Sequence, residues 1–319
     1  MSKSQTPDGI MPNNPVALIA GPTASGKSAI ALGLADARKE AGLSTIIINA
    51  DSMQIYRDIP VLSAAPEVEE SIRHPHRLYG AWDAAEACSA ASWAEKARQE
   101  IEKAHSEGAL PVLVGGTGMY IRVLLDGIAP IPAIDPKVRD EVRALPVDAA
   151  YACLQIEDPG RASLLAPNDS QRIARALEVV RSTGTTLSDW QQAKTGGIGE
   201  DIELHPVIML PDREWLYERC DSRFVQMTQL GAIEEVEALL ERNLSPDLPA
   251  MRAIGVPEIA ACLRGEISNE EMIERGQQST RNYAKRQYTW FRRQTPTDWV
   301  RVESQNVDAE AQFASILRH

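Results

Sequence analysis

The stretch Val16-Ala-Leu-Ile-Ala-Gly-Pro-Thr-Ala-Ser-Gly-Lys-Ser28 is an apolar run that enters a glycine-flanked loop and continues into the helical pattern AIALGLADARKEAG. The loop residues Gly21, Pro22, Thr23, Ala24, Ser25, Gly26, Lys27 and Ser28 satisfy G-x-x-x-x-G-K-[ST] in the context that motif requires, after a strand and before a helix. Gly21 and Gly26 let the backbone curl so that successive N–H groups converge, and the helix that follows adds its positive N-terminal end. Lys27 is placed to neutralise phosphate oxygens and the Ser28 hydroxyl to meet Mg2+. The bland alternative is a glycine turn that merely joins strand to helix; the flanking elements and the terminal Lys-Ser favour phosphate.

Further short apolar runs, TIIINA (45–50), PVLVGG (111–116) and VIML (207–210), follow VALIA (16–20) with helix-like segments between them. Strands alternating with helices imply a parallel sheet with crossover connections, here a P-loop NTPase-like α/β fold. The third and fourth strands are separated by about ninety residues, too many for one crossover. That gap holds the proline cluster IAPIPAIDP and the helical patterns PKVRDEVRAL and SQRIARALEVVRS, which predicts a mostly helical insertion over 128–200. The core domain is then 16–127 with 201–319, and the polar, proline-broken residues 1–15 read as a loose tail. Residues 213–241 read as one long helix with a buried stripe of Leu216, Cys220, Phe224, Met227, Gly231, Ile233, Val236 and Leu240.

Composition narrows the classes. At 319 residues with 44% apolar side chains the chain can close a sizeable core. No run approaches the ~18–20 uninterrupted apolar residues that span a bilayer, so the expectation is a cytoplasmic protein with no membrane partner; a monomer is expected as well. Cys88, Cys153, Cys220 and Cys262 show no C-x-x-C pair and no histidines at ligand spacing, and read as reduced thiols. A net charge of −12 argues against a surface coated for non-specific nucleic-acid binding. Residues 275–293, RGQQSTRNYAKRQYTWFRR, run against that average, with six Arg or Lys, no acid, and Tyr283, Tyr288, Trp290 and Phe291 interleaved. Arg281, Lys285 and Arg292 suit phosphates and the aromatics suit bases. Equally, Tyr283, Gln287, Trp290 and Phe291 lie at helical spacing, so the reading favoured here is a core-packed helix with aromatics inward and cations outward.

Most loops of this kind hold ATP or GTP, which makes phosphoryl transfer the default. Three features weaken it. The third strand ends in Gly115-Gly116, where such proteins usually place an aspartate for Mg2+ and water. No N-K-x-D guanine-reading motif is present. Thr23 brings a hydroxyl to a position suited to a bridging phosphate oxygen. Asp51, at the C-terminal end of the second strand, fits three roles at this point: a carboxylate that organises Mg2+, a general base, or a turn cap. A nucleotide kinase with Asp51 on Mg2+ and Arg219 or Arg223 as lid arginines, or a nucleotide-gated binding module, are the readings the loop allows by itself.

Taken together, GPTASGKS, NADSMQIYRDIP, VGGTGMYIR, APNDSQRIARALEV, RFVQM, AIGVPEI and RNYAKRQYTWFR resemble the tRNA dimethylallyltransferases, in that family's order, from about residue 15 to about residue 293. The resemblance implies that the loop holds the diphosphate of dimethylallyl diphosphate rather than a nucleotide. It implies transfer of a dimethylallyl group to N6 of the adenosine immediately 3′ of the anticodon in tRNAs that read codons beginning with U. Asp51 matches the family's base, Thr23 its loop threonine near the breaking C–O bond, and Arg223 its diphosphate-contacting arginine, with Lys27 and Mg2+ on the leaving group. For Arg219, a surface ion pair with Glu218, Asp221 or another acid is the preferred reading.

Matches to the family place Asp51, Ser52, Met53 and Gln54, Thr117, Arg139, the segment Asn168, Asp169, Ser170, Gln171 and Arg172, and the segment Arg252, Ala253, Ile254, Gly255, Val256 and Pro257 against the tRNA anticodon stem-loop. Read without the family, NDSQRIARAL is an amphipathic helix capped by Asp169 or Ser170. Two departures stand out. Val256 and Pro257 follow Gly255 where the family often carries an aromatic and a basic residue. No cysteine-histidine zinc module follows the basic segment, so the compact bacterial form is the better comparison. An adenylate isopentenyltransferase shares donor and loop chemistry but accepts a free nucleotide, and needs neither the insertion nor the basic segment.

Overall fold

In a computed structural model, which describes residues 14–305 and 307–317, six strands form one sheet in which every neighbouring pair is parallel. They are β1 (Pro15–Ala20), β2 (Ser44–Asn49), β3 (His76–Arg77), β4 (Ala109–Gly115), β5 (Glu203–Met209) and β6 (Val300–Val302), in the spatial order β3-β2-β4-β1-β5-β6. The four apolar runs are β1, β2, β4 and β5, the middle of the sheet, where burial on both faces demands continuous apolar sequence. The two edge strands are too short to leave a pattern. β1 begins at Pro15, so the sheet takes the last residue of the stretch expected to be a tail; residues 1–13 of that stretch lie outside the described residues.

Helices α1 (Lys27–Glu40), α2 (Pro60–Ser63), α3 (Val68–Arg73), α4 (Ala90–Ser106) and α5 (Gly118–Asp126) connect the first four strands and lead out of β4. Then come α6 (Pro136–Ala144), α7 (Val147–Glu157), α8 (Pro159–Ala162), α9 (Ser170–Thr183) and α10 (Leu187–Trp190). The chain returns through β5 to α11 (Arg213–Gln229), α12 (Ala232–Glu241), a 3-10 turn (Ala250–Arg252), α13 (Val256–Leu263), α14 (Asn269–Gln294) and α15 (Ala309–Gln312). Two compact units result: one from the chain up to Leu124 and from Gly199 onward, the other Leu125–Ile198.

In the first unit, Ile30 and Leu34 of α1 pack on Ile19, Val112, Val114 and Met209 of the sheet, closed below by Phe313. Trp93 of α4 stacks on Tyr120 of α5 with centroids 5.0 Å apart, and its indole N–H donates to the Asn49 carbonyl at 2.9 Å. The second unit has its own core of Val142, Leu154, Ile173 and Leu177. There Asp169 is the cap of α9, accepting from the Arg172 amide at 3.3 Å.

The expected long helix over 213–241 is two helices. Gly231 adopts φ 113°, a left-handed conformation that ends α11 and starts α12 in a new direction. The buried residues are accordingly Leu216, Cys220 and Phe224 on α11, then Ala232, Val236 and Leu239 on α12, so Ile233 and Leu240 leave the stripe.

Candidate active site

The loop after β1 is shaped by backbone that only part of its sequence explains. Gly26 (φ 92°) opens α1 as glycine readily does, whereas Ala24 sits at φ 61°, where a Cβ is strained. The Arg219 guanidinium of α11 holds that strained residue by donating Nε to the Ala24 carbonyl at 3.0 Å, and it stacks on Trp215 at 4.7 Å. Arg219 therefore belongs to the loop, and the expected ion pair with Glu218 or Asp221 is absent among the described residues; Asp221 instead pairs with Arg281. Lys27 folds back over the loop, Nζ donating to the Pro22 carbonyl at 2.6 Å. Ser28 is exposed at the first turn of α1, and Ser25 is buried with its hydroxyl unpartnered.

Asp51 follows β2 through a bend built by a fully buried side chain. The Asn49 carboxamide accepts from the Asp51 amide at 2.8 Å and donates to the Asp51 and Leu78 carbonyls at 2.9 and 3.1 Å. One oxygen of Asp51 accepts from the Met53 amide at 3.0 Å, a turn bond that leaves its carboxylate at the cavity. Ser52 is tied to Thr117, whose hydroxyl accepts from the Ser52 amide at 2.9 Å. The Tyr283 hydroxyl of α14 joins this pair, and burial raises its pKa, with the Thr117 and Ser52 hydroxyls opposing the rise. Gln54 turns toward α2, donating to the Ser63 and Ala64 carbonyls at 3.2 and 2.5 Å. At the other end of α2, Glu235 accepts from the Val61 and Leu62 amides at 2.6 and 2.9 Å.

Of these parts, the loop from Thr23 to Ser28, Asp51 to Gln54, Arg219 and Tyr283 line one cavity of about 380 Å³. Lys27, Arg219, Arg223, Arg252 and Arg286 face it, against the single carboxylate of Asp51, and Ile59, Leu62, Phe224 and Met227 supply an apolar wall. Among the described residues neither Lys27 nor Arg223 has a carboxylate within salt-bridge distance. Burial pulls the Lys27 pKa down from 10.5 to about 8, with nearby Asp51 opposing and Arg223 adding to the fall. Burial, then Arg219, likewise lowers Arg223. Two buried cations that destabilise each other make a site in wait of an anion. The apolar wall joins two segments far apart in the chain, at α2 and on α11, so no local period in the sequence marks it.

The remaining expected residues are distributed. Arg252, Ala253 and Ile254 line the cavity, with Arg252 also paired to Asp247. Gly255 caps α13, Pro257 opens its first turn, and Val256 is 1% exposed, so that side chain presents nothing to a ligand. Arg139, Asn168, Ser170, Gln171 and Arg172 are exposed in the second unit, Arg172 bonded to Asp169 at 3.0 Å. On α14, Phe291 and Gln287 are buried and Lys285, Arg292 and Arg293 exposed, as a core-packed helix requires. Two cations depart from that outward arrangement: Arg281 pairs with Asp221, and Arg286 lies over Tyr283 at the cavity. Of the group Ser28, Asp51 and the other cavity donors, only Asp51 is a carboxylate, and no cluster of three or more His, Cys, Asp or Glu able to hold a metal occurs among the described residues. That donor set suits a Mg2+ that keeps mostly water and substrate oxygens.

Comparison with known proteins gives the same reading from a different direction. The IPP transferase family model matches residues 54–294. A tRNA dimethylallyltransferase of Erythrobacter litoralis (strain HTCC2594) is 60% identical over 315 residues, 99% of each chain. One of Novosphingobium aromaticivorans is 62% identical over 277 residues, 87% of this chain and 99% of the relative. Among solved structures, the full-length tRNA isopentenylpyrophosphate transferase of Bacillus halodurans superposes with a TM-score of 0.66 at 31% identity, over 96% of this chain and 95% of that one. A eukaryotic dimethylallyltransferase acting on tRNA gives 0.73 at 29% identity, over 87% and 69%. The parallel sheet with its glycine loop is thus the P-loop NTPase-like fold of these transferases, and the chain belongs to the IPP transferase family, that of the tRNA dimethylallyltransferases.

Proposed function

We propose that this protein transfers the dimethylallyl group of dimethylallyl diphosphate to N6 of the adenosine immediately 3′ of the anticodon, in tRNAs that read codons beginning with U, releasing diphosphate. The observation that carries the reading is the cavity's charge: cations on the loop side, one carboxylate, and an apolar wall between α2 and α11. A nucleotide kinase needs no five-carbon wall, and a binding module needs no lone carboxylate.

In the reaction the N6–C1 bond forms as the C1–O bond breaks. The N6 proton passes to the Asp51 carboxylate, and the electron pair of the broken bond leaves on the diphosphate. An aryl amine is a weak nucleophile, so a base at its N–H helps as the new bond grows. Lys27, Arg223 and the loop amides meet the charge that collects on the leaving group, and they act more strongly on the transition state than on the bound donor. Thr23 contacts the diphosphate near the breaking bond. Arg219 keeps Ala24, and with it the amides of the loop, in place. Ile59, Leu62, Phe224 and Met227 exclude water from an allylic carbon that would otherwise be hydrolysed. The Ser28 hydroxyl would help hold a Mg2+ ion, which would supply further positive charge to the leaving group.

The acceptor side draws on Asp51 to Gln54, Thr117 and Arg252 to Ile254 around the flipped base, and on the exposed Arg139 and Asn168 to Arg172 for the anticodon stem-loop. The same reading makes the protein a cytoplasmic monomer. Incubation with Mg2+, labelled dimethylallyl diphosphate and either unmodified tRNA or AMP tests it. Label at the adenosine 3′ of the anticodon is expected; label in AMP alone, or ATP turnover with no transfer, would overturn it.

A further inference from the structure

Gln287 is 6% exposed in the middle of α14, and both ends of its carboxamide are engaged far from its own helix. Its oxygen accepts from the Thr23 amide at 2.8 Å, and its nitrogen donates to the Gly116 carbonyl at 2.8 Å. The orientation of the amide follows from its partners, since a backbone N–H only donates and a carbonyl only accepts. Thr23 follows β1 and Gly116 follows β4, two adjacent parallel strands in register at Ala20 and Gly115. One neutral side chain thus spans the gap between the phosphate loop and the neighbouring strand end. Gly116 makes room for it: a Cβ there would lie 2.3 Å from the Gln287 nitrogen. Gly116, at the strand end where many phosphate-loop proteins carry an aspartate, thus leaves room for a glutamine from α14.

We propose that Gln287 is a positioning residue for the donor diphosphate, acting through Thr23. It does not line the cavity, whereas Thr23 does. By taking the Thr23 amide, Gln287 removes that N–H from the set free to bind phosphate. It fixes the first turn of the loop so that the Thr23 side chain is presented to the cavity. A glutamine does this without charge, so it adds nothing to compete with the anion. The inference rests on the proposed use of a diphosphate donor and would fail separately from it.

The test is a double-mutant cycle on the full chain, with Gln287→Met, Thr23→Ala and the pair, reading kcat/KM for dimethylallyl diphosphate at saturating tRNA. Methionine fills the space and breaks both bonds; Thr23→Ala keeps the amide but leaves no hydroxyl to position. Gln287→Met alone is expected to cost about 10- to 100-fold, the scale of unpairing buried backbone groups, and less than about threefold in the Thr23→Ala background. A loss that multiplies in full in the double variant, or a single variant within threefold of wild type, overturns the proposal. Gln287→Leu, which also breaks both bonds without adding charge, serves if the methionine variant does not fold, with the same criteria. A merely structural role would lower Tm and leave the cycle additive. The same four proteins are titrated with inorganic diphosphate and Mg2+, so that a wild type which transfers no dimethylallyl group sinks the functional reading while the binding cycle still decides the clamp.

Discussion

Arg219 donates to the carbonyl of Ala24 at 3.0 Å, and Ala24 is the phosphate-loop residue held at φ 61°. A guanidinium on α11 therefore maintains a backbone conformation that alanine disfavours by about 1–2 kcal/mol. Removing it in Arg219→Ala should let the loop relax and scatter its amides. KM for the donor is expected to rise about tenfold, from a charged hydrogen bond worth about 1.5–3 kcal/mol, while tRNA affinity holds. Donor titrations at fixed tRNA, with filter binding for tRNA, check this; an unchanged donor KM would remove Arg219 from the site.

Asp51 both caps a turn and faces the cavity, and one substitution separates the two roles. Asp51→Asn keeps an oxygen to accept from the Met53 amide but cannot take a proton. The expected result is an unchanged Tm and tRNA affinity with a rate lower by about 10²- to 10⁴-fold. Single-turnover transfer measures it, and a full rate in the asparagine variant would reduce Asp51 to a cap.

Lys27 sets a pH limit. Its folded pKa of about 8 lies below the ordinary 10.5, so below about 8 folded and unfolded chains both hold the proton and stability does not depend on pH on its account. Between about 8 and 10.5 the unfolded chain binds more protons, and this group makes stability rise with pH. Donor binding runs the other way: diphosphate prefers the protonated lysine, so its affinity should fall as pH passes about 8. Diphosphate titrations from pH 7 to 10 should show that fall in wild type and a flat profile in Lys27→Arg.

Phe224 of α11, 2% exposed at the cavity wall, packs its ring against Gly276 of α14, where a Cβ would stand 2.0 Å from the ring. Gly276→Ala must push the ring aside, and a loss of about 1–3 kcal/mol is expected from overpacking. Adding Phe224→Leu should recover much of that stability in thermal unfolding while raising donor KM, because the wall loses the ring. No recovery would mean that the contact is not what fixes the spacing of α11 and α14.

A strand that runs into G-x-x-x-x-G-K-S is local physics, and the loop, α1 and the four central strands were legible for that reason: apolar continuity, glycine and helix onset all lie within about fifteen residues of each other. Asp51 at the end of β2 was equally legible as a position, and its carboxylate lies at the cavity near Lys27 and Arg223. Gly231 was read as a member of a buried stripe, because a helical period does not reveal a positive φ.

The sequence by itself determined that a glycine-curled loop ending in Lys27-Ser28 stands between β1 and α1 of a parallel sheet, since strand, glycines and helix onset are encoded in adjacent residues. Only the tertiary structure decided what surrounds it. Arg219 on α11 and Gln287 on α14 reach the loop, Tyr283 on α14 and the apolar wall reach its cavity, and Glu235 on α12 holds α2, most of them across gaps of scores to hundreds of residues. Each reads in sequence as one more polar or apolar position on an amphipathic helix. Which side chain meets a loop carbonyl, a loop amide or a carboxylate depends on helix packing angles and on glycines that permit close approach, and periodicity carries neither.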